Sequence, residues 1–199
     1  MSLLFETIRI QDGALYNLEY HNHRMNQSRK LLFGSCDSID LSNHINIPTV
    51  YNQGINKCKV VYGKEIEQVS FEPYIPRKIQ SLKLVDDNSV CYDHKYCNRE
   101  QLIELSGKRV SCDDVLIVKN GYITDTSFSN IVFFDGTRWL TPLKPLLYGT
   151  MRSYLLMKGF ILEKAITVID LRHFQKARLI NAMLPFHSDE EIEIGCIGY

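Results

Sequence analysis

One lysine stands in a setting suited to covalent chemistry. Lys95 lies in Tyr92-Asp-His-Lys95-Tyr96, among aromatic residues rather than in a run of solvated charge. An amine whose charge is disfavoured by its surroundings can act as nucleophile and base, although most lysines are surface residues that simply stay in water. His21-x-His23 has a spacing that two metal ligands could share. No second pair with ligand spacing follows, and both histidines fall where an amphipathic helix begins, so no metal is expected. Six cysteines (Cys36, Cys58, Cys91, Cys97, Cys112 and Cys196) are scattered without any Cys-x-x-Cys pair. That pattern fits reduced, mostly buried thiols better than a disulfide frame or a zinc site.

The elements that must position Lys95 belong to a chain of 199 residues, 45% hydrophobic and 11% aromatic. Such a chain can bury a core as one large domain or two small ones. Lys plus Arg number 23 and Asp plus Glu number 23. With no net charge, a polyanion partner such as nucleic acid is not expected. The first residues carry no basic segment, long apolar run or cleavage site, and no later stretch reaches membrane-spanning length, so no membrane association and a cytoplasmic location are expected.

Residues 4–10 alternate and are rich in β-formers, Gln11-Asp12-Gly13 is a turn, and residues 14–18 resume extended structure, which predicts a hairpin. Apolar spacing at Met25, Leu31 and Leu32 predicts a helix over 20–33 that stops at Gly34. The polar stretch 35–56 shows only weak periodicity and receives no assignment. Strands follow at 57–62 and 65–71, then Pro73-Tyr-Ile-Pro76 breaks the pattern and reads as a linker. Beyond it the spacing predicts a strand at 79–85, a helix at 99–105, a strand at 114–118, a turn at Asn120-Gly121 and a hairpin of 131–134 with 138–140 about Asp135-Gly136. A helix at 149–158 running into Gly159 and two further strands complete the chain. Mixed strands and helices in this order make two small α/β units, 1–76 and 77–199, and ligands often bind where such units meet.

Four blocks, in order, are similar to the class IV aminotransferase family, the fold type IV pyridoxal-phosphate enzymes, over nearly the whole chain. Leu4-Phe-Glu-Thr-Ile-Arg9 and His21-Asn-His-Arg24-Met-Asn-Gln-Ser28 resemble F-E-x-x-R and H-x-x-R-L-x-x-S. Lys95 with Tyr96 and Arg99 forms the second block. Ile123-Thr-Asp125-Thr-Ser-Phe-Ser-Asn130-Ile-Val-Phe resembles T-E-x-x-x-x-N-[IV]-F and runs on to Trp139-Leu-Thr141-Pro142. Leu146-Leu-Tyr-Gly149-Thr-Met-Arg152 is similar to L-x-G-x-x-R at a helix start. Each pattern is loose, but four in sequence are not a coincidence. The resemblance implies an α/β (α+β mixed) fold of the D-amino-acid aminotransferase-like type with a shortened N-terminal part, and a cofactor site at the junction of the two domains.

It also implies roles. Lys95 would carry pyridoxal 5′-phosphate as a Schiff base and then act as base at the substrate carbon. Asp125, at the family's glutamate position, would keep the ring nitrogen protonated. Gly149, Thr150 and Met151 at a helix start, with Arg24, would hold the phosphate. Arg9 and Arg152 are candidates for the substrate's carboxylates. Taken without the motifs, Arg24 reads equally as an exposed helix residue, Asp125 as a turn cap and Thr150 as an N-cap.

Family members include branched-chain transaminases, D-amino-acid transaminases and 4-amino-4-deoxychorismate lyases. Thr7 matches the lyases' threonine, whose hydroxyl could relay a proton. Asn181-Ala182-Met-Leu-Pro185 is similar to their N-[AS]-L-M-x-P segment near the cofactor phosphate. Each alone reads as an ordinary strand residue or strand end; together they imply a lyase that eliminates pyruvate to give 4-aminobenzoate, a step towards folate, with a transaminase or a non-catalytic relative as the alternatives. The chain starts almost at its first block, without the family's usual N-terminal strand and Tyr-Gly-x-Gly segment, so part of the pocket wall is expected to be rebuilt or open. Asp125 is a methylene shorter than glutamate, and Met151 replaces a phosphate-binding threonine. Weaker cofactor affinity follows as an expectation, as does a homodimer.

Overall fold

The computed structural model describes residues 2–184, 186 and 190–199; Pro185, quoted above with its motif, lies outside the described residues. Two compact units emerge. One holds the chain up to Pro76 together with His94–Asn98, the other Arg77–Asp93 with Arg99–Tyr199. Lys95 therefore belongs to the first unit, where a contiguous second domain from residue 77 would have put it in the other. The reason is local pairing: Phe5 N–H donates to the Lys95 carbonyl at 2.9 Å, Cys97 N–H donates to Leu3 O at 2.8 Å, and Leu4 bridges Tyr96.

In the first unit β1 (Leu4–Gln11) and β2 (Ala14–Leu15) form the hairpin. β2 is only two residues long because Asn17 adopts φ +53°, which ends the extended run and starts α1 (Leu18–Phe33) two residues before the expected helix start. Gly34 closes α1 at φ +67°, donating its N–H to the Arg29 carbonyl, a conformation glycine adopts without steric cost. β3 (Ile55–Tyr62) and β4 (Ile66–Pro73) complete an antiparallel sheet in the order β2-β1-β3-β4. Leu4, Ile8, Ile10, Met25, Cys58, Val60 and Tyr62 fill the core between this sheet and α1. The unassigned polar stretch holds two single 3₁₀ turns, Leu41–Asn43 and Thr49–Tyr51. Side chains fix it. Asn26 Oδ1 accepts from Ile39 N–H, Asn22 Oδ1 from Leu41 N–H, and the fully buried Arg29 binds the Asp37 carbonyl and carboxylate.

The second unit contains β5 (Leu82–Asp86), α2 (Glu100–Gly107), β6 (Asp114–Lys119), β7 (Tyr122–Thr126), β8 (Asn130–Phe134), β9 (Trp139–Pro142), α3 (Thr150–Met157), β10 (Ile161–Lys164), β11 (Lys176–Ile180), β12 (Ile192–Glu193) and β13 (Ile197–Gly198). They form two sheets, ordered β13-β5-β6-β7 and β10-β9-β8-β11-β12. β5 and β6 run parallel, joined through α2, while β6–β7 and β8–β9 are antiparallel hairpins. Leu82, Leu84, Leu116 and Val118 of one sheet share a core with Ile131, Phe133, Leu140 and Leu179 of the other. The mixed α/β class follows from these sheets. Among the described residues no helix is long and apolar enough to cross a membrane.

Phe133 is fully buried, with its ring centroid 5.2 Å from that of Phe174. Phe133→Ala empties that space and is expected to cost about 3–5 kcal/mol, read as a drop in the urea midpoint of unfolding.

Candidate functional site

Each unit buries a carboxylate from the matched blocks, and the two are neutralised differently. In the first unit β1 alternates, so Leu4, Glu6, Ile8 and Ile10 point into the core while Phe5, Thr7 and Arg9 share the opposite face. Glu6 is a carboxylate at a core position. It is fully buried, its Oε1 accepts from Arg24 Nε at 2.9 Å, and its Oε2 binds both Arg24 Nη2 and, at 2.6 Å, His21 Nδ1. Burial pushes this carboxyl up, but the Arg24 guanidinium and the His21 hydrogen bond outweigh it and hold the group at about 2. Burial in turn lowers His21, against the pull of Glu6. Two of the three Arg24 nitrogens are thus turned onto Glu6, and a phosphate contact by Arg24 has to be made alongside that pairing.

The Lys95 ammonium sits 4.6 Å from the centroid of the Phe5 ring. Phe5 and Thr7 are two residues apart on one strand face, roughly 7 Å along the strand, so the lysine and the threonine lie on the same side of β1. His94, next to Lys95, is tied to Ser28 of α1 through Nδ1 at 3.0 Å. Arg9 is on that face too, but its guanidinium rests 4.9 Å from the Tyr16 ring centroid and donates to Gln11.

In the second unit Asp125 ends up fully enclosed. Its Oδ1 accepts from Asn130 Nδ2 at 2.7 Å and its Oδ2 from Leu147 N–H at 2.9 Å. Burial drives its carboxyl up to about 6 in spite of those neutral donors. The same Asn130 nitrogen also donates to Leu147 O at 2.8 Å. Immediately beyond, Gly149 is the N-cap of α3 and provides no side-chain cap, so the start of the helix presents its backbone N–H groups. Thr150 and Met151 are buried, and the Met151 side chain packs with Val132, Leu155 and Ile161, so only its backbone faces any phosphate duty.

Other expected site residues are committed within the unit. Arg152 is 2% exposed and donates to Pro142 O at 2.9 Å and Glu163 Oε1 at 2.6 Å. Asn181 donates to Ser129 Oγ at 2.7 Å, and its Oδ1 accepts from Met183 and Leu184 N–H, closing a turn that carries Ala182. A cavity of about 540 Å³, a volume suited to a small molecule, opens beside Tyr92, Lys119, Thr124, Leu146 and Tyr148. Glu6, His21 and Asn130 are partners that motif matching left without roles. An acidic residue on the apolar face of an alternating strand was the available signal for Glu6.

These groups fit pyridoxal phosphate. Asp125 is a buried carboxylate whose hydrogen bonds come from neutral donors and whose carboxyl stays raised in spite of the Arg152 guanidinium, and a protonated ring nitrogen would add positive charge against it. The start of α3 would offer donors to a phosphate.

Glu6 gives a pH test. Its folded value of about 2 lies below the ordinary 4.5, so its contribution is present above pH 4.5 and is lost as pH falls towards 2. At neutral pH this amounts to roughly 3 kcal/mol. Glu6→Gln is expected to lose about that much stability at pH 7 and to flatten the acid limb, measured by denaturant unfolding from pH 7 to 2.

The model of the amino-transferase class IV family matches residues 3–188. An uncharacterised protein of Haemophilus influenzae is 33% identical over 182 residues, covering 90% of this chain and 97% of that one. The crystal structure of a candidate 4-amino-4-deoxychorismate lyase from Haemophilus somnus superposes with a TM-score of 0.87 at 31% identity, covering 92% of this chain and 97% of the other. A hypothetical aminotransferase from Mycobacterium tuberculosis, solved in a PLP-bound form, has a TM-score of 0.73 at 22% identity over 92% and 78% of the two chains and shares the fold. With the match running through the Glu6, Lys95, Asp125 and Gly149 blocks, the chain belongs to the class IV aminotransferase family.

Proposed function

We propose that this chain is a pyridoxal-phosphate-dependent 4-amino-4-deoxychorismate lyase, releasing pyruvate and 4-aminobenzoate, and that it acts as a cytoplasmic homodimer. The observation that carries the reading is the shared face of β1. The Lys95 ammonium lies over Phe5, and the next residue on that face is Thr7, the hydroxyl that the lyases bring to this position.

When bound, pyridoxal 5′-phosphate supplies an electron sink that lets a proton leave the carbon bearing the substrate's amino group. Lys95 would hold the cofactor until the substrate's amine takes its place, and the lysine amine so freed would be the base that takes the proton. Thr7, on the same face, relays it to the oxygen of the departing enolpyruvyl group as the carbon–oxygen bond breaks. The proton removed at one carbon thus leaves with the three-carbon product, which settles as pyruvate, and the ring that remains becomes aromatic. Water and an amino acceptor are not consumed. With the cofactor bound, Asp125 would supply the negative charge for its ring nitrogen, and the N–H groups at the start of α3 would hold its phosphate. Arg24, fixed by Glu6, adds its charge to the phosphate end.

Incubation with aminodeoxychorismate and no oxo acid is expected to release pyruvate and 4-aminobenzoate in equal amounts. Lys95→Ala abolishes both this release and the visible absorbance of the bound cofactor, and Thr7→Val lowers kcat about 10²-fold. Amino-group exchange without pyruvate would overturn the lyase reading in favour of a transaminase.

Asp125 sets a pH dependence. Its value is raised to about 6, so it is protonated below that pH and ionised above it. A cationic ring nitrogen needs the ionised form, so cofactor affinity is expected to fall by up to tenfold per unit as pH drops below about 6, and Asp125→Asn removes the inflection. Cofactor titrations between pH 5 and 8, followed by absorbance, check this.

A further inference from the structure

Asn130 does more than complete a motif. Its single amide nitrogen donates to Asp125 Oδ1 at 2.7 Å and to Leu147 O at 2.8 Å, while Asp125 Oδ2 receives the Leu147 N–H at 2.9 Å. The three groups close a ring that joins the end of β7, the start of β8 and the turn feeding α3. The other face of the amide is pinned as well. A Cβ built on Gly149 would lie 2.0 Å from Asn130 Oδ1 and 3.2 Å from its Cγ, so position 149 has no room for a side chain while the amide stays in place. Gly149 has φ −70° and ψ 146°, which any residue can adopt, so this approach rather than backbone conformation accounts for the glycine.

We infer that Asn130 is a positioning residue that holds the Asp125 carboxylate and the N-terminus of α3 as one rigid unit, so that the ring nitrogen and the phosphate of a single cofactor molecule are met together. The inference rests on the proposed use of pyridoxal phosphate. Without Asn130 the two sites would be linked through the Leu147 N–H donation to Asp125, although Asp125 lies on a strand, the phosphate donors on a helix, and 24 to 26 residues separate them. A cofactor whose two ends are rigidly joined gains from both contacts only if the protein keeps them in register. Asn130 is buried, and its amide nitrogen donates to Asp125 and to Leu147 in the turn that leads into α3. The donation to Asp125 also favours the ionised carboxylate.

The test is a double-mutant cycle on pyridoxal 5′-phosphate affinity, read by quenching of the lone tryptophan, Trp139, in wild type, Asn130→Ala, Asp125→Asn and the double variant. Asn130→Ala is expected to weaken binding about 10- to 100-fold, the range for a lost hydrogen bond to a charged group. In the Asp125→Asn background it should add less than about threefold, because the carboxylate it serves is gone. Losses that multiply, or an Asn130→Ala affinity within about threefold of wild type, overturn the inference. Gly149→Ala, which displaces the amide, should reproduce Asn130→Ala.

Should Asn130→Ala fail to fold, the isosteric Asn130→Asp replaces it. A second acid against Asp125 should move the pH midpoint of cofactor binding upwards by about one unit or more, and an unchanged midpoint overturns the inference. Titration of the Asp125 carboxyl by NMR in cofactor-free protein separates the two levels. A wild type that binds no cofactor defeats the functional reading, while an Asp125 titration insensitive to position 130 defeats the positioning role alone.

Discussion

A carboxylate withdrawn from water has to be matched by donors or by a cation, because desolvation of an unmatched charge costs several kcal/mol. Among the described residues this chain buries Glu6, Asp114 and Asp125, and the candidate site is organised by how the two in the matched blocks, Glu6 and Asp125, are matched. Glu6 has an internal cation, Arg24, and a second donor in His21, and its proton affinity falls accordingly. Asp125 is hydrogen-bonded by an amide and backbone N–H groups, and burial raises its proton affinity in spite of them and of the Arg152 guanidinium. The first arrangement is electrostatically complete. The second would gain from a further positive charge, and in the proposed function a protonated pyridine nitrogen is that charge.

The second unit is arranged around that incompleteness. Asp125 is tied down by Asn130 and Leu147 rather than left to reach outwards, which suits a carboxylate one methylene shorter than the family's glutamate. The phosphate end relies on backbone: Gly149 has no side chain because Asn130 occupies its space, and Met151 uses its side chain to fill the core. Donors of that kind are set by the fold, and they remain available whichever residue stands at 151. The sequence departures that suggested weak binding therefore fall on side chains whose work is shared by amides.

Much of this was legible from residue types. Strict alternation announced β1, the apolar spacing with Gly34 announced α1, and Asp135-Gly136 announced the β8–β9 hairpin. What escaped was decided by non-local partners. Residues 35–56 lack periodicity because their backbone is held by Asn22, Asn26 and Arg29 from α1, and no pattern within the stretch records that. Arg9 and Arg152 looked like carboxylate clamps by type alone, yet one rests on Tyr16 and Gln11 and the other on Pro142 and Glu163. Asn130 was visible as a motif letter, but its two simultaneous donations depend on Leu147, 17 residues away.

The first unit shows why a strand is a suitable carrier for chemistry of this kind. On β1 the core-facing set (Leu4, Glu6, Ile8, Ile10) and the set facing the other way (Phe5, Thr7, Arg9) are interleaved, so a slip of one residue would exchange them all. It would turn Thr7 and Arg9 to the core side in place of apolar side chains and carry Glu6 away from Arg24 and His21. Eight successive pairings with β3, from Leu4 with Tyr62 to Gln11 with Ile55, hold the register. The Glu6 network adds a second lock, because a slip would strip this fully buried carboxylate of the Arg24 and His21 groups that match it. The ion pair that looks like a purely structural feature therefore also decides which face of the strand Thr7 shares with Lys95.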